Sequence, residues 1–569
     1  MTMHKGSCED SRGDIFAARF FLGLLIVILL AGIYARWADL AWHFTNNDDL
    51  RIVRDILMGA GNVPRVFTVP ALETNAPFQF LFTTFLISPL QDYRELLFWG
   101  RLPSCVFGIL ALFAMVYFYR RWEAKDKGSV LLGTALLACS WENIIYAKQT
   151  YSYAVGVLGL VLMLGFFSEF VRRAKYSLGQ MLALSFGLAL VSNMQYQIYL
   201  FIPSFFIVFF LHQWFCREDK KVLALHFLLA VLFYVLLVAP TWYFLLWDKL
   251  GRADPSWIPA TGPRVIFALG KGASFLKFPG HTVMFLARSL FIVFRCTIGF
   301  FEEPHPLFMP VSYLFFTFFL LGLGRCILAR DRARRLLAVF FIISIGSWWG
   351  LVVVNKMMFV PSRQTLILLP FFCVMITEGV SFLLGRLFPD VRRLTAFGGK
   401  VRDYTMAGLA VGVLSLFLIF FGQFLAERRD LANEKDILKL MKSYSPDLVA
   451  FNSETFGFTE MKELNRYFQE MLSRQGPDCP YKTVAFLSRY PVSNISWEEC
   501  EKARARINLS AQMNATKTGN PASYLKYPCQ AYHTVYFRKI VSPVQTDFTK
   551  INPIELYQNN LYIYIFRRN

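Results

Sequence analysis

The sequence predicts a polytopic α-helical membrane protein of about eleven spans that ends in a water-soluble α/β domain. Three observations carry that reading. Only 17% of the residues are charged and 55% are hydrophobic, with a mean hydropathy of +0.42. Apolar runs long enough to cross a bilayer follow one another through most of the chain, and the composition turns polar near Asp430. Soluble domains carry charge on about a quarter of their residues. A chain this apolar, with 59 Phe, has too little polar surface to cover a globule in water.

A helix crosses the hydrocarbon core in roughly 17–25 residues. Runs near 16–36, 97–119, 128–145, 151–170, 178–193, 197–215, 222–246, 307–328, 336–354, 364–385 and 404–425 are candidates, the one at 178–193 being short. The first is not read as a cleaved signal, because no small-residue cleavage site follows it. The formal charge is +20, from 59 Lys and Arg against 39 Asp and Glu. It is gathered on no single domain, which argues against a nucleic-acid surface. It falls instead in short clusters at alternate loops: Arg120-Arg121 with Lys125 and Lys127; Arg172-Arg173 with Lys175; Arg217 with Lys220-Lys221; Arg325, Arg330, Arg332 and Arg334-Arg335; and Arg386, Arg392-Arg393, Lys400 and Arg402. All share one side when every run is counted as a span, and the positive-inside rule makes that side cytoplasmic. The N-terminus is then cytoplasmic and the C-terminal end lies outside.

Two outside loops are long. The first, 37–96, holds the pair Asp48-Asp49 and an apolar stretch at 77–90 that is too short to span and suits the membrane interface. The second, 248–305, is basic, with Lys249, Arg252, Arg264, Lys271, Lys277, Arg288 and Arg295 between apolar runs, a pattern suited to a membrane surface and its phosphates. The organisation is therefore a membrane body over 1–427 and a soluble extracytoplasmic domain over 428–569. In the latter, β-like runs at 448–452, 483–487, 534–537 and 561–566 alternate with helical patterns at 459–472 and 497–507. Ten Cys form no CxxC pair or zinc spacing, and only Cys479, Cys500 and Cys529 lie in the soluble region. No triad, P-loop or metal signature occurs there.

Chemistry-bearing residues gather in the outside loops. Asp48 and Asp49 are of the type that takes a proton from an attacking hydroxyl or holds a divalent metal, although acidic residues in an aqueous loop are also ordinary solvated or capping groups. Lys148 stands among aromatics in Tyr146-Ala147-Lys148-Gln149-Thr150-Tyr151-Ser152-Tyr153, where an interfacial anchor is the usual role. Arg363, in Val360-Pro361-Ser362-Arg363-Gln364-Thr365, has the guanidinium geometry that matches phosphate.

The order of these features resembles the GT-C class of membrane glycosyltransferases, which includes protein O-mannosyltransferases and the aminoarabinose transferase of lipid A. Asp48-Asp49 corresponds to the acidic pair of the first outside loop, and Asn75-Ala76-Pro77-Phe78-Gln79-Phe80 to a stretch often reading His-Pro-Pro-Leu-Tyr-Tyr. Arg101-Leu102-Pro103-Ser104 matches the family's Arg-Leu-Pro-Ser in full. The turn before the fourth span keeps Tyr153-Ala154 but has Gln149 at the acidic place and Tyr151 at the Arg place of Ser-Gln-Glu-Ala-Arg-Pro-Tyr-Ala-Leu. Arg363-Gln364-Thr365-Leu366 with Leu369-Pro370 is similar to the late Arg-Tyr-Leu…Leu-Pro element. The likeness covers about 16–425.

The resemblance implies an inverting transfer of sugar from a polyprenyl-phosphate donor to a glycolipid, polysaccharide or protein acceptor outside the cytoplasm, in a multi-pass protein of the bacterial inner membrane. It assigns Asp48 as base with Asp49 in reserve, Arg363, Lys148, Lys271 and Arg264 to the donor phosphate, and Arg101 and Tyr153 to supporting the site. A divalent cation is compatible with the carboxylate pair and not required by the sequence. The alternatives are a transporter or flippase of a lipid-linked substrate, for which charged or broken positions within the spans are expected, and a non-catalytic assembly or sensor protein whose tail binds a partner.

Overall fold

The computed structural model describes residues 6–38, 40, 77–87, 93–122, 126–150, 152–173, 175–216, 219–243, 279–299, 307–353, 365–387, 397–430, 448–451, 483–488, 548–556 and 561–568. The chain divides into two compact units, the first made of 1–43, 51–91 and 95–421 and the second of 44–50, 92–94 and 422–569.

The first unit is helical. Its elements are α1 (Gly6–Trp37), α2 (Pro77–Ile87), α3 (Tyr93–Trp122), α4 (Lys127–Cys139), α5 (Trp141–Ala147), α6 (Tyr153–Phe170), α7 (Leu178–Ser192), α8 (Ile202–Cys216) and α9 (Lys220–Thr241). There follow α10 (Pro279–Ile298), α11 (Phe308–Leu328), α12 (Arg332–Val353), α13 (Leu369–Leu387) and α14 (Phe397–Asp430). Two short 3-10 turns, Tyr196–Leu200 and Thr365–Leu368, lead into α8 and α13. Polar residues set where several helices begin. Asp126 and Asp219 accept from the backbone N–H groups of Ser129 and Val222, and Ser177 forms a reciprocal capping box with Gln180.

Each apolar run of the sequence is helical, but not every run is a straight span. Among the described residues seven helices are long and apolar enough to cross a membrane, or eight if the pair α4–α5 is one span, bent by 58°. The runs at 178–193 and 197–215 yield 15-residue helices, α7 and α8, short of a full hydrocarbon crossing. The stretch at 77–90 forms the 11-residue α2. Within the basic loop, α10 is a further helix whose apolar positions are interrupted by Arg288 and Arg295.

Burial grades the helices by position. Of the apolar window of α13, 89% is buried, against 22% for α9 and 28% for α1. α13 is therefore the central post, and α1 and α9 present rows such as Phe20, Leu22, Ile26 and Leu30, or Leu225, Leu228, Leu232 and Leu236, outward. In lipid such rows incur no solvation penalty, and association depends on close packing and polar pairing. Both are present around α13. Phe294, Phe316, Phe319 and Phe372 pack ring to ring at 5.1–5.6 Å. α11 and α13 meet backbone to backbone: a Cβ at Gly322 would lie 1.8 Å from the Met375 carbonyl oxygen, and one at Gly379 1.9 Å from that of Phe318.

Toward the basic ends of the same helices, the Glu378 carboxylate of α13 is buried. It receives Arg334 Nε of α12 at 3.1 Å, Arg325 Nη1 of α11 at 3.2 Å and Trp122 Nε1 of α3 at 2.9 Å. Two guanidinium groups and an indole N–H saturate its acceptors, which is the condition under which a carboxylate is tolerated away from water. One turn earlier in space, Tyr119 Oη donates to Thr377 Oγ1 at 3.0 Å.

The second unit contains a four-stranded sheet of β1 (Leu448–Phe451), β2 (Thr483–Ser488), β3 (Phe548–Leu556) and β4 (Leu561–Arg568), in the order β1-β2-β4-β3. β1 and β2 are parallel and the other pairings antiparallel. The parallel pair requires a crossover connection. The helical patterns at 459–472 and 497–507, the expected strand at 534–537, and Cys479, Cys500 and Cys529 lie outside the described residues. β3 was not expected from the sequence. It contains Pro553 and a register shift between Lys550 and Asn552, features tolerated at a sheet edge and invisible to a search for apolar alternation.

Gly322→Ala is expected to lower the stability of the helical unit by about 2 kcal/mol, since the added methyl must force two backbones apart. Gly324→Ala, which meets nothing within 4 Å, should be neutral; thermal unfolding of both variants in detergent measures the difference.

Candidate functional site

The site is built around the break between α4 and α5. A helix that stops inside an apolar body leaves its last carbonyls without intrahelical donors. Here Arg36, wholly buried in the last turn of α1, supplies them. Its Nη1 donates to Ala138 O at 3.1 Å and Gly32 O at 2.9 Å, and its Nη2 to Leu137 O at 3.1 Å. Ser140 occupies the corner, its Oγ donating to Thr297 O of α10 at 2.9 Å and accepting from Asn143 N. Trp141 N donates to Gly299 O at 2.8 Å. α5 thus starts in a new direction with its first donors satisfied by the end of α10, and it delivers the turn beginning at Lys148.

That turn is where three segments distant in sequence meet. Gln79 of α2 is 1% exposed, and its Nε2 donates both to Ser104 Oγ of α3 and to Thr150 O, the latter at 2.9 Å. One turn before Ser104, buried Arg101 donates from Nη1 to Leu40 O at 3.0 Å. The chain leading to Asp48 is therefore pinned at Leu40, beyond the end of α1. Lys148, 1% exposed, caps α5 through its backbone N–H and lays its ammonium 5.5 Å from the centre of the Phe421 ring. Tyr153, buried at the start of α6, packs against Tyr146 at 5.5 Å. The 3-10 turn Thr365–Leu368 comes back to the same place, with Ile367 Cδ1 3.6 Å from the Cβ position of Gly156 in α6.

The surroundings are buried yet polar, and several oxygens are uncommitted. Gln79 Oε1, Thr83 Oγ1, Gln149 Oε1 and Ser152 Oγ have no hydrogen-bond partner among the described residues, and each of these residues is at most 6% exposed. Elsewhere the hydroxyls of Ser192, Ser312, Ser344 and Thr377 turn back onto the carbonyl one turn earlier, while those of Thr134, Ser185, Ser204 and Ser381 also have no partner among the described residues. An uncommitted buried oxygen costs free energy unless something fills its hydrogen-bonding capacity. Amide oxygens accept from hydroxyl groups, so the arrangement suits a polyhydroxylated ligand.

The sequence-derived residues separate into two groups. Lys148, Arg101 and Tyr153 are brought together here. Asp48, Asp49, Arg264, Lys271 and Arg363 lie outside the described residues. No three His, Cys, Asp or Glu side chains converge among the described residues. Arg36 and Ser152 were not anticipated: an Arg closing an apolar run reads as an interfacial anchor, and a lone Ser before a helix as an ordinary cap.

No family model and no curated protein matches the sequence. Solved structures to which the chain is similar include the Archaeoglobus fulgidus oligosaccharyltransferase in complex with zinc and sulfate, at 15% identity and TM-score 0.42, over 68% of this chain and 52% of that one. The chain thus spans about half the length of the archaeal protein. ArnT from Cupriavidus metallidurans is similar over nearly the whole of both chains: 97% and 98% for the apo state, at 10% identity and TM-score 0.44, and 96% and 97% for the form bound to undecaprenyl phosphate, at 11% identity and TM-score 0.42. Scores of this size leave the function to be read from this chain's own residues.

Gln79→Leu keeps the volume and removes both donated bonds. It is expected to cost about 1–3 kcal/mol, seen as a lower unfolding midpoint in detergent, whereas Gln180→Leu, at an exposed cap, should cost less.

Proposed function

We propose that this protein is a GT-C-type membrane glycosyltransferase. It moves a sugar with inversion from a polyprenyl-phosphate-linked donor to a hydroxyl of an envelope glycolipid, polysaccharide or protein on the non-cytoplasmic face. The observation that carries the reading is the double hydrogen bond of Gln79 to Ser104 and Thr150. Those three residues belong to three motifs recognised by their order along the chain, and the supporting neighbourhood includes a buried lysine and uncommitted polar oxygens. Buried charges elsewhere in the body do not favour a transport path. Arg36 is committed to helix-end carbonyls, Arg101 donates to the Leu40 carbonyl, and Glu378 is saturated by two arginines and an indole.

In this scheme Asp48 takes the proton from the acceptor hydroxyl, the oxygen attacks the anomeric carbon from the face opposite the phosphate, and the glycosidic C–O bond to phosphate breaks with its electron pair leaving on the phosphate. Lys148 and Arg363 stabilise that departing charge, with Lys271 and Arg264 contributing from the basic loop. Arg101 holds Leu40, eight residues before Asp48 in the chain. The alternation of basic loops supports a cytoplasmic N-terminus and an extracytoplasmic C-terminal domain, with all these residues on the donor-sugar side of the membrane.

Asp48→Asn should abolish transfer while leaving expression and membrane insertion unchanged, and Asp49→Asn should retain activity. Mass spectrometry of envelope glycolipids and glycoproteins, in cells lacking the gene and complemented with each variant, reads the outcome; a full glycan profile with Asp48→Asn would remove Asp48 as the base.

A further inference from the structure

The seam between α8 and α9 is filled in two different ways along its length. Over the half that starts from Lys220, aromatic rings close it: Phe210 lies 4.8 Å from Phe227, and Phe206 lies 5.9 Å from Phe227 and 5.4 Å from Tyr234. Over the other half the facing side chains are short, Ile202 and Pro203 on α8 and Val235, Val238 and Ala239 on α9, and they leave a hollow of about 450 Å³. Tyr199, Tyr234 and Trp242 wall it, and none of the described residues that line it is charged. Val235, Trp242 and Tyr243, all exposed, mark the side that opens outward. Tyr199 belongs to the 3-10 turn Tyr196–Leu200, and on the other face of that turn Gln195 and Ile198 pack on Gly156 and Gly159 of α6. The hollow is therefore one turn of chain away from the start of α6 and the candidate site. Thr241 Oγ1 donates to Asn193 Oδ1 at 2.6 Å, whereas Tyr199 Oη reaches the same oxygen only at 3.5 Å, the outer limit of a hydrogen bond. The Tyr199 hydroxyl thus loses little by turning to another acceptor.

We infer that this hollow seats one acyl chain of the acceptor, so that the acceptor is an acylated lipid and neither a polysaccharide nor a protein. An apolar cavity of about 150 Å³ takes up benzene, so a hollow of about 450 Å³ holds roughly eighteen carbons, the size of one membrane acyl chain. A fatty acyl chain ends in an ester or amide carbonyl, an uncharged acceptor that suits the Tyr199 hydroxyl. A polyprenyl donor carries its phosphate directly on the chain and needs a cation beside it, which the lining does not offer among the described residues. With the chain held here, the turn Tyr196–Leu200 sets the distance between the lipid's head group and the turn at Lys148. The acceptor role rests on the glycosyltransferase reading, and the presence of a chain on the hollow alone.

Photolabelling of the full-length protein in detergent, with a palmitoyl glycolipid that carries a diazirine in its chain, tests the chain site. Adducts are expected on α8 and α9 at the hollow, displaced by unlabelled palmitoyl glycolipid and not by farnesyl phosphate. Ala239→Phe puts a ring into the hollow from an exposed position and should cut labelling about tenfold with an unchanged unfolding midpoint. Tyr199→Phe, which loses one neutral hydrogen bond, should cut it about threefold to tenfold. Leu228→Phe, exposed on the other half of α9, should label as the wild type does. Labelling spread over the outward-facing helices, displaced by farnesyl phosphate, or undiminished in both Ala239→Phe and Tyr199→Phe overturns the site. In cells, Ala239→Phe should remove the transferred sugar from the glycolipid fraction. A sugar lost from polysaccharide or protein in cells lacking the gene, with glycolipids unchanged, overturns the acceptor assignment and leaves the chain site standing. A full glycan profile in cells lacking the gene overturns the glycosyltransferase reading instead.

Discussion

Everything in the candidate site depends on how the end of α4 is satisfied inside an apolar body. A run of residues that reads as one span is cut at Ser140, and in hydrocarbon a cut helix is untenable unless its carbonyls find donors. Arg36 provides them from a different helix, across about a hundred residues of chain. Because the break is held, α5 can turn by 58°, the turn at Lys148 is carried into the interior, and α6 begins where α2 and α3 can reach it through Gln79. Were α4 and α5 continuous, Lys148 would lie at the end of a straight rod and would meet neither Phe421 nor the segments joined at Thr150.

The helical body uses charge sparingly, and beside the Asp126–Arg402 pair two arrangements stand apart. At one end Glu378 joins α3, α11, α12 and α13 through a saturated carboxylate. At the other, Arg36 and Arg101 are directed to backbone carbonyls. Glu378 is matched by two counter-ions, whereas Arg36 is met by backbone carbonyl dipoles. Oxygens without a hydrogen-bond partner among the described residues occur in several helices, as at Thr134, Ser185, Ser204 and Ser381, and four of them, on Gln79, Thr83, Gln149 and Ser152, fall in α2 and the turn into α6.

The membrane character and the helical runs were legible in the sequence because hydropathy is a local, cumulative signal. The bend at Ser140 was not: Ser140-Trp141 sits within an apolar stretch, and what breaks the helix is a donor set on α1 and carbonyl acceptors on α10. β3 escaped for a related reason, its Pro553 and bulge being acceptable only because β4 pairs it on one side. Lys148, Arg101 and Tyr153 were singled out by their motifs, which say nothing of the contacts that surround them in the fold. Ser152 was not, since what distinguishes it is a hydrogen bond that it does not make.

The cluster at Glu378 also bears on how such a chain reaches its native state. Trp122 and Glu378 are 256 residues apart, so the early helices must remain in the bilayer without this lock until α13 has been made. The Arg36 contacts, by contrast, are complete once α4 has emerged. Synthesis from the N-terminus would therefore satisfy the end of α4 first and fasten the body around α13 late, so that a chain stopped before Glu378 would keep its α1–α4 contacts while its later helices stay loosely associated.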